Sequence, residues 1–118
     1  MTKKVVNYLW FTERGSNVEK AIQISMLLEL YGKLLTETQA DTADLYYNQN
    51  LSLGEIAEVL NITRQGVRKN LVYAEKKLFD FEEKLSFLKQ KLENNEIIKE
   101  VIEKIDDIVL KDKLSKLL

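Results

Sequence analysis

Between residues 63 and 77 the chain reads TRQGVRKNLVYAEKK, and most of its polar side chains are of the kinds that hydrogen-bond to nucleic acid. Arg64, Gln65, Arg68 and Lys69 cluster near its start, Thr63 precedes them, and Lys76 and Lys77 follow two turns later. An arginine fits guanine O6 and N7 as a two-pronged donor and a glutamine amide fits adenine N6 and N7, each good pair discriminating by about 1 to 3 kcal/mol. Lys69, Lys76 and Lys77 are better suited to phosphates, which position a protein on a duplex without reading it. Gly66 is read as allowing close helix packing rather than ligand contact, at about 1 kcal/mol against alanine in a helix interior. Other chemistry is poorly served. The chain contains neither histidine nor cysteine, which removes the usual acid/base at neutral pH, histidine-dependent triads, thiol nucleophiles and nearly all transition-metal sites. Glu37, Asp41 and Asp44 recur at i, i+4 and i+7 and so share a helix face, but nothing converges on them and they read as a solvated acidic surface. With no nucleophile, base or phosphate loop assembled, neither an enzyme nor a cofactor is expected.

Two short helices must hold the basic cluster. Ser52 opens the first, with Glu55 three residues on as its capping-box partner. Ile56, Leu60, Ile62, Val67 and Leu71 are spaced to close a small core between two crossing helices, and Ala57 is small where they approach. Asn61 stands at the turn, where a left-handed backbone is needed and asparagine tolerates it next best after glycine. Thr63 caps the second helix. Apolar, small and turn residues at these offsets describe a helix-turn-helix over residues 52–77, in which the exposed start of the second helix enters the major groove. The backbone N–H groups of Leu53 and Gly54 add a phosphate site at a helix start.

The rest of the chain sets the context. Its 118 residues, with no proline and four glycines, predict one all-α domain over residues 18–118. Residues 1–17 differ in character and end in TERGSN; a frayed arm, a strand-like appendage and an upstream extension all fit. The apolar run VVNYLWF at 5–11 is too short to span a bilayer and lacks a cleavage site, so no membrane association is expected and the cytoplasm is the expected compartment. From Val18 to Leu35 a helix carries Ala21, Ile24, Leu27, Leu28, Leu30, Tyr31, Leu34 and Leu35 around about half its circumference, wider than one core contact needs. Thr36 and Gln39 form a second capping box, and a helix follows to about Asn48 with Leu45 and one of Tyr46 and Tyr47 facing inward.

The net charge of −1 hides a polarised molecule. Residues 63–77 hold Arg64, Arg68, Lys69, Lys76 and Lys77 against Glu75, a local +4, whereas residues 36–60 hold Glu37, Asp41, Asp44, Glu55 and Glu58 with no basic residue, a local −5.

Beyond the basic cluster, Val67, Leu71, Ala74, Leu78, Phe81, Leu85, Leu88 and Leu92 keep a 4-3 spacing, an unbroken heptad seam. It predicts one helix from residue 64 to about 93, about 45 Å long. ENNE at 93–96 is expected to break it, after which Ile97, Ile98, Val101, Ile102, Ile105, Ile108 and Val109 predict an amphipathic helix folding back on the long one, with a short tail around Leu114, Leu117 and Leu118. C-terminal helices thus occupy 96–118. The apolar faces exceed what one small chain covers, so a homodimer joined through the long and C-terminal helices is expected, presenting two reading helices.

LSLGEIAEVLNITRQGVRKNLVYAEKKL at 51–78 resembles the final helix-turn-helix of sigma-70-type transcription factors. More closely, LLTETQ, LYYNQNLSLGEIAE and ITRQGV make residues 18–92 similar to the YlxM-like family of bacterial helix-turn-helix regulators. The resemblance implies a sigma-region-4-like, wingless all-helical protein, double-stranded DNA as partner, and, through gene neighbourhood, a link to the signal recognition particle pathway. It also implies an alternative, a non-catalytic module that binds a protein or RNA component of that particle. Two features depart from the family pattern: residues 1–17 have no counterpart, and GVRKN places Gly66, Arg68 and Lys69 where alanine, an aromatic and an acidic residue are expected. The added positive charge favours anion binding.

Overall fold

The computed structural model describes residues 17–118. The arm expected over residues 1–17 lies outside them, apart from Asn17, which opens the first helix. Helix α1 spans Asn17–Tyr31 and tightens into a 3-10 turn at Gly32–Leu34. Helix α2, Glu37–Ala43, widens into a π turn at Asp44–Asn48. Then come α3, Leu53–Leu60, α4, Arg64–Leu85, α5, Phe87–Lys104, and α6, Ile108–Ser115. No strand occurs among the described residues, and the architecture is all-α as its composition predicts.

Local chemistry sets the boundaries of the first helices. Gln39 N–H donates to Thr36 Oγ1 and Thr36 N–H donates to Gln39 Oε1, each at 3.2 Å, so the capping box at α2 closes in both directions. The π turn turns Tyr47 inward and leaves Tyr46 exposed. Asn50, with φ 57°, then redirects the chain into Ser52.

The chain divides into two compact units at Ser86. In the first, α1, α2 and α3 all pack on α4. Ile24, Leu27 and Tyr31 of α1, Ile56 of α3, and Val67, Leu71, Ala74 and Leu78 of α4 are buried, whereas Leu34, at one end of the wide stripe on α1, is exposed. Deeper along α4 the buried position is not apolar. Glu82 is 3% exposed and accepts a 2.6 Å hydrogen bond from the Tyr31 hydroxyl, since a buried carboxylate persists only where donors meet it.

The helix predicted to reach residue 93 ends instead at Leu85. Ser86 adopts a left-handed conformation, φ 58°, and its N–H bonds to the Glu82 carbonyl. Periodicity missed the break because Leu85, Leu88 and Leu92 keep their spacing across it, while spacing says nothing about the backbone angles of the residue between. At the break Leu85 is 41% exposed, whereas Leu88, the next member of the seam, is buried. ENNE does not break the chain; residues 93–96 lie inside α5. Asparagine is a weak helix former but costs well under 1 kcal/mol at a solvated position.

The second unit consists of α5 and α6, packed on one another. The amphipathic helix predicted across residues 97–109 is divided: Ile97 to Ile102 belong to α5, and Ile108 and Val109 begin α6. Asp107 makes the division, its carboxylate accepting from the N–H groups of Val109 at 2.9 Å and Leu110 at 3.1 Å. An aspartate so placed is a strong helix start, and of the tail expected around Leu114, Leu117 and Leu118, Leu114 belongs to the last turn of that helix while Leu117 and Leu118 lie beyond it.

Candidate nucleic-acid interface

The turn between α3 and α4 is built as its residues dictate. Glu55 N–H donates to Ser52 Oγ at 3.1 Å and Ser52 N–H donates to the Glu55 carboxylate at 2.9 Å. The Ser52 N–H foremost, and the Ser52 hydroxyl beside it, hold the Glu55 carboxyl below its usual pKa by hydrogen-bonding to its charged form. At the other end Asn61 is left-handed, φ 55° and ψ 48°, and the Ile62 N–H reaches back to the Ala57 carbonyl at 3.0 Å. Thr63 then caps α4, its Oγ1 accepting from Gly66 N–H at 2.9 Å. Ile56, Val67 and Leu71 form the buried centre of the motif, with Leu45, Tyr47, Leu51, Leu53, Ala57, Leu60 and Ile62 around it.

On this frame Thr63, Arg64, Gln65, Arg68, Lys69, Lys76 and Lys77 are all exposed. They do not form one group. At about 100° per residue, Gln65, Lys69 and Lys76 fall within an arc of about 40°, with Arg68 about 60° to one side. Arg64 lies further round that side, and its guanidinium is laid over the first turn of α3. A Cβ built on Gly54 would stand 2.7 Å from Arg64 Nη2 and 3.1 Å from its Nε. Lys77 lies on the other flank, where its Nζ donates to Gln39 Oε1 of α2 at 3.4 Å. Lys69 Nζ stands over the Tyr73 ring, 5.9 Å from its centroid.

Gly66 borders this surface for a different reason from the one its sequence position suggests. A Cβ there would meet Thr63 Oγ1 at 3.2 Å and Ile62 at 3.7 Å, so the crowding comes from the preceding turn and its cap rather than from a crossing helix.

Glu75, the one acid of residues 63–77, follows Arg68 by two turns on the same flank, where it is covered. Its carboxylate takes the Lys20 ammonium of α1 at 2.8 Å and a 2.5 Å hydrogen bond from the Tyr47 hydroxyl. Burial, with the hydrogen bond to Glu75 and that residue's charge, pushes the Tyr47 phenol well above the ordinary tyrosine value. Of the acidic series on α2, Asp44 is occupied locally by the side-chain amides of Asn48 and Gln49, at 2.7 and 3.0 Å. Sequence reasoning missed Lys20 and Tyr47, partners remote in the chain. It also missed Val72 and Tyr73, exposed on the outer face of α4. Counting i+7 from Gln65 would have found Val72.

A capped helix, a left-handed asparagine and a second capped helix crossing the first through Ile56 and Val67 form a helix-turn-helix. Residues 18–117 match a family model described as "Putative helix-turn-helix protein, YlxM / p13 like", UPF0122. The chain belongs to the UPF0122 family. A UPF0122 protein of Clostridium acetobutylicum is 40% identical over 97 residues, covering 82% of each chain. Another, from Acetivibrio thermocellus, is 46% identical over 88 residues, 71% of this chain and 75% of the relative. A third, from Halalkalibacterium halodurans, is 37% identical over 101 residues, 86% and 93% of the two chains. The match thus takes in both units of this UPF0122 protein, and no helix among its described residues is long and apolar enough to cross a membrane.

Proposed function

We propose that this UPF0122 protein is a non-catalytic, cytoplasmic regulator that binds double-stranded DNA as a homodimer through the outer face of α4. The observation that carries the reading is the exposed group Gln65, Arg68, Lys69 and Lys76 along the outer face of the second helix of a helix-turn-helix, with the local acid Glu75 covered by Lys20 and Tyr47. Gln65 and Arg68 are assigned to base edges and Lys69 and Lys76 to phosphate. Arg64, laid over the first turn of α3, is assigned to a phosphate shared with the N–H groups of Leu53 and Gly54. Thr63 serves as the cap that sets the direction of α4, and Lys77 as a peripheral charge beside α2. The dimer is supported by apolar side chains left exposed in the second unit, among them Leu92, Ile97, Val101, Ile108 and Val109, which a second copy would cover.

The test is binding to a selected duplex across a salt series. About four phosphate contacts per protomer give a dimer a slope of log affinity on log salt near −7, a loss of about ten-thousandfold between 50 and 200 mM. Joint replacement of Arg64, Gln65, Arg68 and Lys69 by alanine should abolish selective binding. A shallow slope, or selectivity that survives the replacement, defeats the reading. The family resemblance carries the second reading, in which the same basic helix binds a protein or RNA component of the signal recognition particle. Titration with the purified components decides it: saturable binding supports it, and no binding removes it.

A further inference from the structure

We infer that Val72 is a specificity-determining residue that reads a thymine through its C5-methyl group. This rests on the DNA reading above and adds to it a base identity at one position of each half-site. Val72 follows Gln65 by seven residues, Arg68 by four and Lys69 by three, and precedes Lys76 by four, so it lies amid the polar side chains of the outer face. It is 59% exposed. Exposed valines are ordinary in themselves, and Val59 of α3 is as open. What distinguishes Val72 is its company. With Gln65, Gly66, Arg68, Lys69 and Tyr73 it lines one shallow recess on the outer surface of α4.

The chemistry of that recess is uneven. Gln65, Arg68 and Lys69 bring an amide, a guanidinium and an ammonium, and the Lys69 ammonium is drawn over the Tyr73 ring. Gly66 contributes no side chain and leaves room for close approach. Val72 alone offers an aliphatic surface with no polar atom. The floor of the major groove carries hydrogen-bonding groups on every base pair and one aliphatic feature, the methyl of thymine. The arrangement of donors around a single aliphatic side chain complements a site where a thymine is flanked by hydrogen-bonding base edges. Reach is adequate: Val72 lies about 12 Å along the helix from Arg64, a distance comparable to the groove's width. Valine is also a poorer helix former than alanine, so neither burial nor helix propensity accounts for it at this solvated position.

The experiment begins with a duplex selected from a random library by the full-length protein. Each thymine is then replaced singly by deoxyuridine, which keeps every hydrogen-bonding group and removes only the methyl. Affinities are measured by fluorescence anisotropy for the wild-type protein, Val72→Ala and, as an exposed control on α3, Val59→Ala. For wild type and Val59→Ala, substitution at one thymine per half-site should weaken binding about fourfold, the contribution of one buried methyl. Val72→Ala, which removes the contact in both protomers, should bind the unmodified duplex about sixteenfold more weakly and be indifferent to the same substitution. Thermal unfolding of Val72→Ala should match or exceed wild type, which excludes a folding defect. The inference is overturned if no thymine is sensitive, or if Val72→Ala keeps the wild-type pattern of sensitivities. Failure of the wild-type protein to bind any duplex would instead overturn the DNA reading on which it rests.

Discussion

Gly54→Ala separates stability from the proposed DNA binding, because on that proposal the residue serves them in opposite senses. Gly54 lies in the first turn of α3 with an ordinary negative φ, so alanine adopts its backbone without strain. A Gly→Ala change of that kind stabilises by about 0.5 kcal/mol through the unfolded chain, and thermal unfolding should rise by about 2 to 4 °C. The new Cβ, however, falls 2.7 Å from Arg64 Nη2, 3.1 Å from Nε and 3.2 Å from Cζ. The guanidinium is the far end of a flexible, exposed side chain, so it moves aside at little cost to folding. What is lost is its station over the α3 N-terminus. If Arg64 and that helix start share a phosphate, one contact per protomer disappears and the salt slope shrinks by about 0.9 for each. Near physiological salt that is a loss of about fivefold per protomer. Thermal melts and a titration at 50, 100 and 200 mM salt read both effects. The reasoning is refuted by a variant less stable than wild type, or by one whose salt slope is unchanged.

Three further outcomes follow from the same geometry. Asn61→Gly should leave stability unchanged or raise it slightly, whereas Asn61→Ala should cost about 1 kcal/mol in denaturant unfolding, since Asn61 holds φ 55° and alanine resists that region. Thr63→Ala should cost about 1 kcal/mol by removing the acceptor for Gly66 N–H, with hydrogen exchange accelerating first at Gly66 in the opening turn of α4. Because the Tyr47 phenol is held protonated in the fold, its contribution is fully present below about pH 10 and is lost as pH rises further, where the unfolded tyrosine ionises. Tyr47→Phe should therefore cost about 1 to 2 kcal/mol at neutral pH and show a flatter decline than wild type between pH 10 and 11.

The helix-turn-helix was legible because each residue that defines it acts over a few positions. Ser52 with Glu55, Asn61 at its turn and Thr63 with Gly66 are caps and backbone preferences expressed within three residues, and Ile56, Val67 and Leu71 follow from helical period alone. The elements past residue 85 were less legible for a matching reason. Heptad spacing of Leu85, Leu88 and Leu92 reports which faces align if a helix continues, not whether one residue leaves the helical region, and Ser86 does so with φ 58°. Asp107 carried a readable signal, an aspartate just before an apolar run, but the isoleucine periodicity on both sides masked it.

The site was legible in residue type and not in arrangement. Sequence placed seven polar or basic residues together, and the fold sorts them: Gln65, Arg68, Lys69 and Lys76 share an outer face, Arg64 turns to Gly54, and Lys77 turns to Gln39. The sorting depends on neighbours from α2 and α3 that no count along α4 can supply. The same holds for charge. Read along the chain, a −5 segment before a +4 segment argues against approach to a polyanion. In the fold, Asp44 is engaged by Asn48 and Gln49, Glu55 by the start of its own helix, and Glu75 by Lys20 and Tyr47. Each of these carboxylates faces donors of its own, leaving Glu37, Asp41 and Glu58 as the exposed, uncapped acids of residues 36–60. None of the three is on α4, and screening confines their repulsion to about 8 Å at physiological salt. Repulsion of that range weakens docking only where a phosphate comes close to α2 or the outer turns of α3. On the proposed DNA reading, an acidic flank beside a basic helix therefore restricts the orientations in which a duplex would approach, and favours one that would bring Gln65, Arg68 and Lys69 to the groove first.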